Sequence, residues 1–121
     1  MTWTTEHSAT IVRELCGYGI ETSPAGRVFC RSSDDELFPL PDYSRDPDVH
    51  SALGAWLRAE GRRVVVVFDS RRRLYAVTLQ EEDGGRAVGW SRQSQFEEAV
   101  AWALYAAIVQ EGKSAKKQTM R

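Results

Sequence analysis

Arg62-Arg63-Val64-Val65-Val66-Val67-Phe68-Asp69, with the turn Ser70-Arg71-Arg72-Arg73 and the segment Leu74-Tyr75-Ala76-Val77-Thr78-Leu79 behind it, decides the fold class. The apolar run over 64–68 is too short for an isolated helix and rich in β-branched residues, so it reads as a strand. It lacks the polar alternation of a half-buried strand, which predicts a central strand covered on both faces. Residues 69–73 read as a polar turn, 74–79 as a second strand, 81–86 with Asp83-Gly84-Gly85 as a hairpin turn, and 87–90 as a third strand. Three antiparallel strands are therefore expected in the second half of the chain.

Outward from this meander the pattern turns helical. Before it, two candidate N-caps, Ser44 and Asp46, precede a stripe of Val49, Leu53, Trp56 and Leu57, and Gly61 marks the stop. Pro47 suits a first turn, and Asp46 and Asp48 favour the positive end of the helix dipole. After it, residues 95–110 place Phe96, Val100, Ala103, Leu104, Ala107 and Ile108 on one face and Trp102, Tyr105 and Val109 on another. Such a helix must be buried on two sides, and Gly112 is expected to end it. At the start, Ala9, Ile11, Val12 and Leu15 predict a short amphipathic helix over 4–16, with Gly17 at its C′ position. Residues 18–40 are broken by Pro24, Gly26 and Pro39, with one short strand at Val28-Phe29-Cys30.

The 121 residues, 42% hydrophobic and 27% charged, match one folded domain with a modest core and exclude a large multidomain enzyme. We expect one α+β domain over 1–112, a small, mainly antiparallel sheet of three to five strands between helices, and a basic flexible tail over 113–121. Sixteen basic against 17 acidic residues leave no global field to gather nucleic acid, so strong general nucleic-acid binding is not expected. The distribution is uneven. Residues 1–50 hold nine acids and four bases, whereas residues 56–95 hold eight arginines and five acids. The polar start and the absence of an apolar leader predict a cytoplasmic location, with Cys16 and Cys30 as free thiols. The apolar stretch 99–109 is short of the ~20 residues that span a bilayer, so no membrane segment is expected.

Two stretches carry a family resemblance. Leu40-Pro41-Asp42-Tyr43-Ser44-Arg45-Asp46, running into the helix with Ala52 and Leu57, resembles the Pro-aromatic-Ser-x-Asp helix entry of the phage ABA-sandwich domain family. Phe96-Glu97-Glu98-Ala99-Val100-Ala101-Trp102-Ala103-Leu104-Tyr105-Ala106-Ala107 resembles that family's alanine-rich final helix. The resemblance extends to the opening helix ending near Gly17. It implies a sheet layered between helices, an origin in a phage or prophage, and the cytoplasm of a bacterial host as the setting. It implies no chemistry, because most members have no assigned activity. The chain departs from the family pattern at Asp34-Asp35-Glu36 and at Arg71-Arg72-Arg73.

Several residue sets are candidates for function. Arg71, Arg72 and Arg73, with Arg86 and Arg92 from the neighbouring hairpin, form a cationic cluster suited to phosphates or an acidic partner. Tyr43, in the loop before the second helix, joins this binding set, and Tyr75 and Trp90 offer stacking surface beside it. Trp102, Tyr105 and Val109 are either covered by the first helix or form the interface of a homodimer, which is the expectation adopted. Asp34, Asp35 and Glu36 are the alternative, a divalent-cation site for a nuclease. His7 and His50 lie far apart and no Cys-x-x-Cys pair exists, so no zinc site or other cofactor is expected. The leading expectation is a non-enzymatic, phage-type accessory protein that binds a host or phage protein, or an anionic nucleotide signal, and antagonises host defence. The alternatives are a metal-dependent nuclease or other nucleic-acid-processing protein using the acidic loop, and an assembly protein acting through homo-oligomerisation.

Overall fold

A computed structural model describes residues 2–81 and 86–119, with the side chains of the final helix described as far as Glu111. The chain opens with α1 (Thr5–Ile11), which runs into a π-helical turn (Val12–Cys16). Three short strands follow, β1 (Gly19–Thr22), β2 (Val28–Arg31) and β3 (Leu37–Pro39). After α2 (Asp48–Leu57) come β4 (Arg62–Asp69), β5 (Leu74–Glu81), β6 (Arg86–Gln93) and α3 (Phe96–Thr119). This is an α+β domain whose order of helices and strands follows the expectation, except that three strands, not one, stand between the first two helices. The strands form two antiparallel sheets, ordered β1-β2-β3 and β4-β5-β6.

Local signals place most of the boundaries. Gly17 adopts the left-handed conformation (φ 69°) that ends the first helical segment, as a glycine without Cβ does at little cost. The Asp46 carboxylate accepts the Asp48 backbone N–H at 2.9 Å where α2 begins, and Pro47 sits at the N-cap position, one residue earlier than its expected place in the first turn. Beyond that helix, Gly61 takes a positive φ of 83°. The helical backbone of α3 continues past Gly112, where a stop is expected. A single glycine costs a helix only about 1 kcal/mol relative to alanine, which does not terminate it. The hairpin tip 82–85, residues 120–121 and the side chains of the expected basic tail over 113–119 lie outside the description, while the backbone of 113–119 continues α3.

The core lies on both sides of α3. Ala99, Val100, Ala101, Trp102, Ala103 and Leu104 are buried in succession, a pattern that a helix shows only when it is covered all round. On one side β5 and β6 present Val77, Leu79, Gly89 and Ser91, all buried. On the other, α1 and α2 supply Ile11, Val49 and Trp56, none with more than 1% of its surface exposed. The closest approach is at Gly89, where an added Cβ would lie 2.3 Å from the Ala103 carbonyl oxygen and 2.8 Å from the Ala107 nitrogen. Glycine on the strand and alanines on the helix let the two backbones meet.

This arrangement corrects the reading of residues 64–68. β4 is an edge strand, not a central one, and Val65, Val66, Val67 and Phe68 are 40%, 43%, 57% and 52% exposed. The physical reason is that α3 lies over β5 and β6, while α2 meets β4 only at the start of the strand, where Arg62 stacks on Trp56 at 4.7 Å. An apolar run without alternation is therefore left largely outside the core.

Because backbone atoms, not flexible side-chain ends, stand against Gly89, Gly89→Ala is expected to cost at least the roughly 1–3 kcal/mol typical of overpacking. Gly54, inside α2 with open space around it, provides the contrast: Gly54→Ala should stabilise by about 0.5–1 kcal/mol. Thermal melting of the two variants checks this; a Gly89→Ala protein as stable as the parent would contradict the packing described.

Candidate functional site

The strand register fixes which side chains share a face. Val65, Thr78 and Trp90 lie side by side across β4, β5 and β6, and Val67, Ala76 and Arg92 form the next row. Both rows have the opposite parity to Val77, Leu79 and Ser91, which are buried on the face toward α3. They therefore form the outer face of the sheet. Trp90 is 61% exposed, Val67 is 57% exposed, and the Arg92 guanidinium stands 5.8 Å from the Trp90 ring centroid. Exposed apolar side chains on both edge strands of one sheet face, a solvated tryptophan among them, mark the kind of patch found at interaction surfaces.

The arginine turn closes one end of this face. Its conformation is held by Asp69, whose Oδ1 accepts the backbone N–H groups of Arg71 (3.0 Å) and Arg72 (3.2 Å). Arg73 completes the reversal with a positive φ of 53°. Arg71, Arg72 and Arg73 are all exposed. Arg72 and Arg92 together border a depression of about 130 Å³ with Val67, Asp69, Leu74 and Ala76. Four of the five expected arginines thus serve one end of the sheet. Arg86 does not: it pairs with Glu81 at the opposite end of β6, about 20 Å from Arg92 at the usual rise of ~3.3 Å per strand residue. Of the two aromatics expected to flank the cluster, Trp90 faces outward. Tyr75 packs between Phe68 (4.8 Å) and Phe96 (5.5 Å) on the other face.

The remaining candidates are placed elsewhere. Trp102 is 8% exposed, because Trp3 meets it edge-on at 4.9 Å and His7 at 4.7 Å, and Tyr105 receives His7 at 4.6 Å. The first helix and the residues before it therefore cover Trp102 and much of Tyr105, with Val109 half-buried beyond them, which corrects their assignment to an interface. Trp3 is itself pinned by its indole N–H, which donates to the Ser8 hydroxyl at 2.8 Å.

Asp34, Asp35 and Glu36 form the turn between β2 and β3. The Asp35 carboxylate is paired with Arg31 at 3.0 Å, and Glu21 also pairs with Arg31. Among the described residues no three His, Cys, Asp or Glu side chains come together as a metal site. No helix of the described residues is long and apolar enough to cross a membrane.

Tyr43 is 5% exposed and belongs to the core rather than to the arginine surface. It borders a cleft of about 320 Å³ with Cys16, Tyr18, Phe38, Asp48 and Arg58. Burial pushes the Cys16 thiol above its ordinary value, outweighing the opposing hydrogen bond to Tyr43 and the Arg58 charge. Burial likewise raises the Tyr43 phenol, and the neighbouring Cys16, Cys30 and Asp48 add to the rise. Both groups stay protonated at neutral pH, so the cleft offers hydrogen-bond donors but no thiolate nucleophile. Comparison of the chain with known protein families, with curated proteins and with solved structures finds no match.

The shifts of Cys16 and Tyr43 have a stability consequence. Because the folded protein holds both protons more tightly than the unfolded chain, the unfolded chain releases them first as pH rises past 9.0 and then 10.0, the ordinary thiol and phenol values. The contribution of these two groups to stability is full below pH 9 and falls above it, by up to ~1.4 kcal/mol per pH unit for each proton. Denaturant melts across the alkaline range should show a shallower fall in Tyr43→Phe than in the parent protein; identical slopes would contradict this account.

Proposed function

We propose that the protein is a non-enzymatic, phage-type accessory protein that acts in the bacterial cytoplasm by binding a protein partner across the outer face of the β4-β5-β6 sheet. The observation that carries this reading is the exposed row Val65, Thr78 and Trp90 with Arg92 against the indole, bordered by Arg71, Arg72 and Arg73. Interface centres are enriched in tryptophan and arginine, and their charged rims govern encounter more than affinity. In this reading Trp90 is the anchor and the arginine turn steers an acidic partner surface.

A nucleotide signal is the less favoured ligand. Sites that enclose a small molecule generally offer roughly 300–1,000 Å³, whereas the depression at the arginine turn offers about 130 Å³. Among the described residues, a larger cavity of about 330 Å³ is bordered by Trp3, Thr4, Ser8 and Asp42 without a cation to receive phosphate, and the cleft of about 320 Å³ beside Tyr43 offers one arginine, Arg58, together with the acid Asp48. The phage origin and a role in antagonising host defence rest on the family resemblance of the helix entry at 40–46 and of the final helix. The nuclease alternative finds no support in the acidic turn, where Asp35 is already paired with Arg31.

Affinity capture from bacterial lysate with the parent protein and with Trp90→Ser tests this reading. The partner retained by the parent should be lost with Trp90→Ser, whose binding should fall by about 30-fold or more, as for an interface hot spot costing at least ~2 kcal/mol. Replacing Arg71, Arg72 and Arg73 together by alanine should slow association and flatten its dependence on salt. Equal retention by the parent and Trp90→Ser would overturn the proposal, as would a rise in Tm with nucleoside polyphosphates that Trp90→Ser leaves intact.

A further inference from the structure

The free edge of β4 is self-complementary, and from it we infer that the protein forms a two-fold symmetric dimer in which β4 pairs antiparallel with β4 of a second copy. The inference is independent of the partner-binding reading, since it uses the edge of the sheet and not its outer face. Among the described residues, no backbone hydrogen bond joins β4 to anything but β5. Alternate residues of β4 therefore turn their N–H and C=O groups toward solvent, a template for a further strand.

Symmetry limits the registers. When a strand pairs antiparallel with its own copy, the axis passes through one residue and that residue faces itself. Centred on Val66, the pairs are Val66 with Val66, Val65 with Val67, Val64 with Phe68, and Arg63 with Asp69 at each end. Opposite charges meet twice, and every position between them is apolar. Centred on Val65, Arg63 faces Val67 and the ion pairs are lost. Centred on Val67, Arg63 faces Arg71, and like charges directly opposite are destabilising. Only the Val66 register satisfies charge and hydrophobicity together.

The side chains are available for this pairing. Arg63 is exposed and donates its Nε–H to Gln80 Oε1 at 2.7 Å, which leaves its terminal nitrogens for a carboxylate, and Asp69 is half-exposed, with Oδ1 engaged by the turn and only a long 3.9 Å contact from Arg72 to Oδ2. Both lie on the outer face with Val65 and Val67, so the ion pairs would flank that valine row. On the inner face, Val66 and Phe68, which α3 leaves uncovered, gain cross-strand partners. The dimer would join the two three-stranded sheets into one continuous sheet.

The opposite edge of the same sheet is built differently. β6 carries Arg86 and Arg92 near its ends with no acid between them, so self-pairing centred on Gly89 would set arginine against arginine. It also meets β5 through a register shift at Leu79/Gln80, and bulges of this kind protect edges from pairing. Charge and geometry thus discourage pairing at β6 and favour it at β4.

Sedimentation velocity on the parent protein and two single variants, Arg63→Glu and Asp69→Lys, tests the inference. The parent should sediment at twice its 13.6 kDa mass at micromolar concentration. Each variant alone places like charges opposite each other at both ends and should dimerise at least roughly tenfold more weakly. An equimolar mixture of the two restores both ion pairs and should recover the dimer. A monomeric parent, a dimer indifferent to either substitution, or a mixture that stays monomeric while both variants are folded by circular dichroism would overturn the proposal.

Val66→Cys supplies a readout that leaves the ion pairs untouched. It sets two thiols across the axis, with Cβ atoms about 4.5–5.5 Å apart in a directly opposed pair. Oxidation should then yield a disulfide-linked dimer on a non-reducing gel. The parent, with native Cys16 and Cys30, and Ser94→Cys, exposed beyond the far edge of the sheet, should not cross-link. Cross-linking of Val66→Cys no faster than of Ser94→Cys would overturn the Val66 register.

Discussion

The contact between Gly89 on β6 and the Ala103–Ala107 turn of α3 is the constraint on which the architecture depends. It is a backbone-to-backbone approach, possible only because the strand contributes no Cβ and the helix contributes alanines. By bringing the helix down onto β5 and β6, it allows Val77, Leu79, Val100 and Leu104 to leave water entirely. It also fixes where the helix cannot be. α3 and α2 reach β4 only at its start, where Arg62 pairs with Glu111 and stacks on Trp56, and the rest of that strand, from Val65 to Phe68, is left exposed.

What remains uncovered is unusual for a surface. Valines at 65, 66 and 67, Phe68 and Trp90 are apolar positions that a solvated sheet would fill with polar residues, and lysine or proline would blunt an idle edge. Two different physical demands meet here. The outer face carries Trp90 and Arg92, a pairing suited to a partner's surface, whereas the edge carries an apolar strand with arginine toward one end and aspartate at the other. Asp69 belongs to both: it shapes the arginine turn through the backbone of Arg71 and Arg72, and it terminates the strand whose charges match when the strand is reversed upon itself.

The sequence was most informative where period and punctuation agree. The stripe Val49, Leu53, Trp56 and Leu57, the left-handed Gly17, and the apolar wealth of α3 each correspond to an element found close to its expected position. The run over 64–68 misled because the same four valines and phenylalanine serve a strand buried in a core or one awaiting a partner. Composition does not distinguish the two, and only the reach of α3 does.

Trp102 and Tyr105 were ambiguous for a related reason. An apolar helix face signals that something covers it, and here it is Trp3 and His7 of the same chain. Arg86 follows the arginine turn by one hairpin in the sequence, yet strand length carries it to the other end of the sheet. The outer face is not legible before the register is known, because Trp90 joins Val65 only through the pairing of both with Thr78.

The claim that the outer face of the β4-β5-β6 sheet is open can be measured through its tryptophan. Trp56 is fully buried, Trp102 is nearly so and Trp3 is half-buried, leaving Trp90 as the one largely exposed indole among them. Iodide quenching of intrinsic fluorescence, compared between the parent protein and Trp90→Phe, reads that exposure directly. Most of the quenchable, red-shifted emission should vanish with Trp90. Quenching that persists unchanged in Trp90→Phe would show that this face is covered, and would contradict the account.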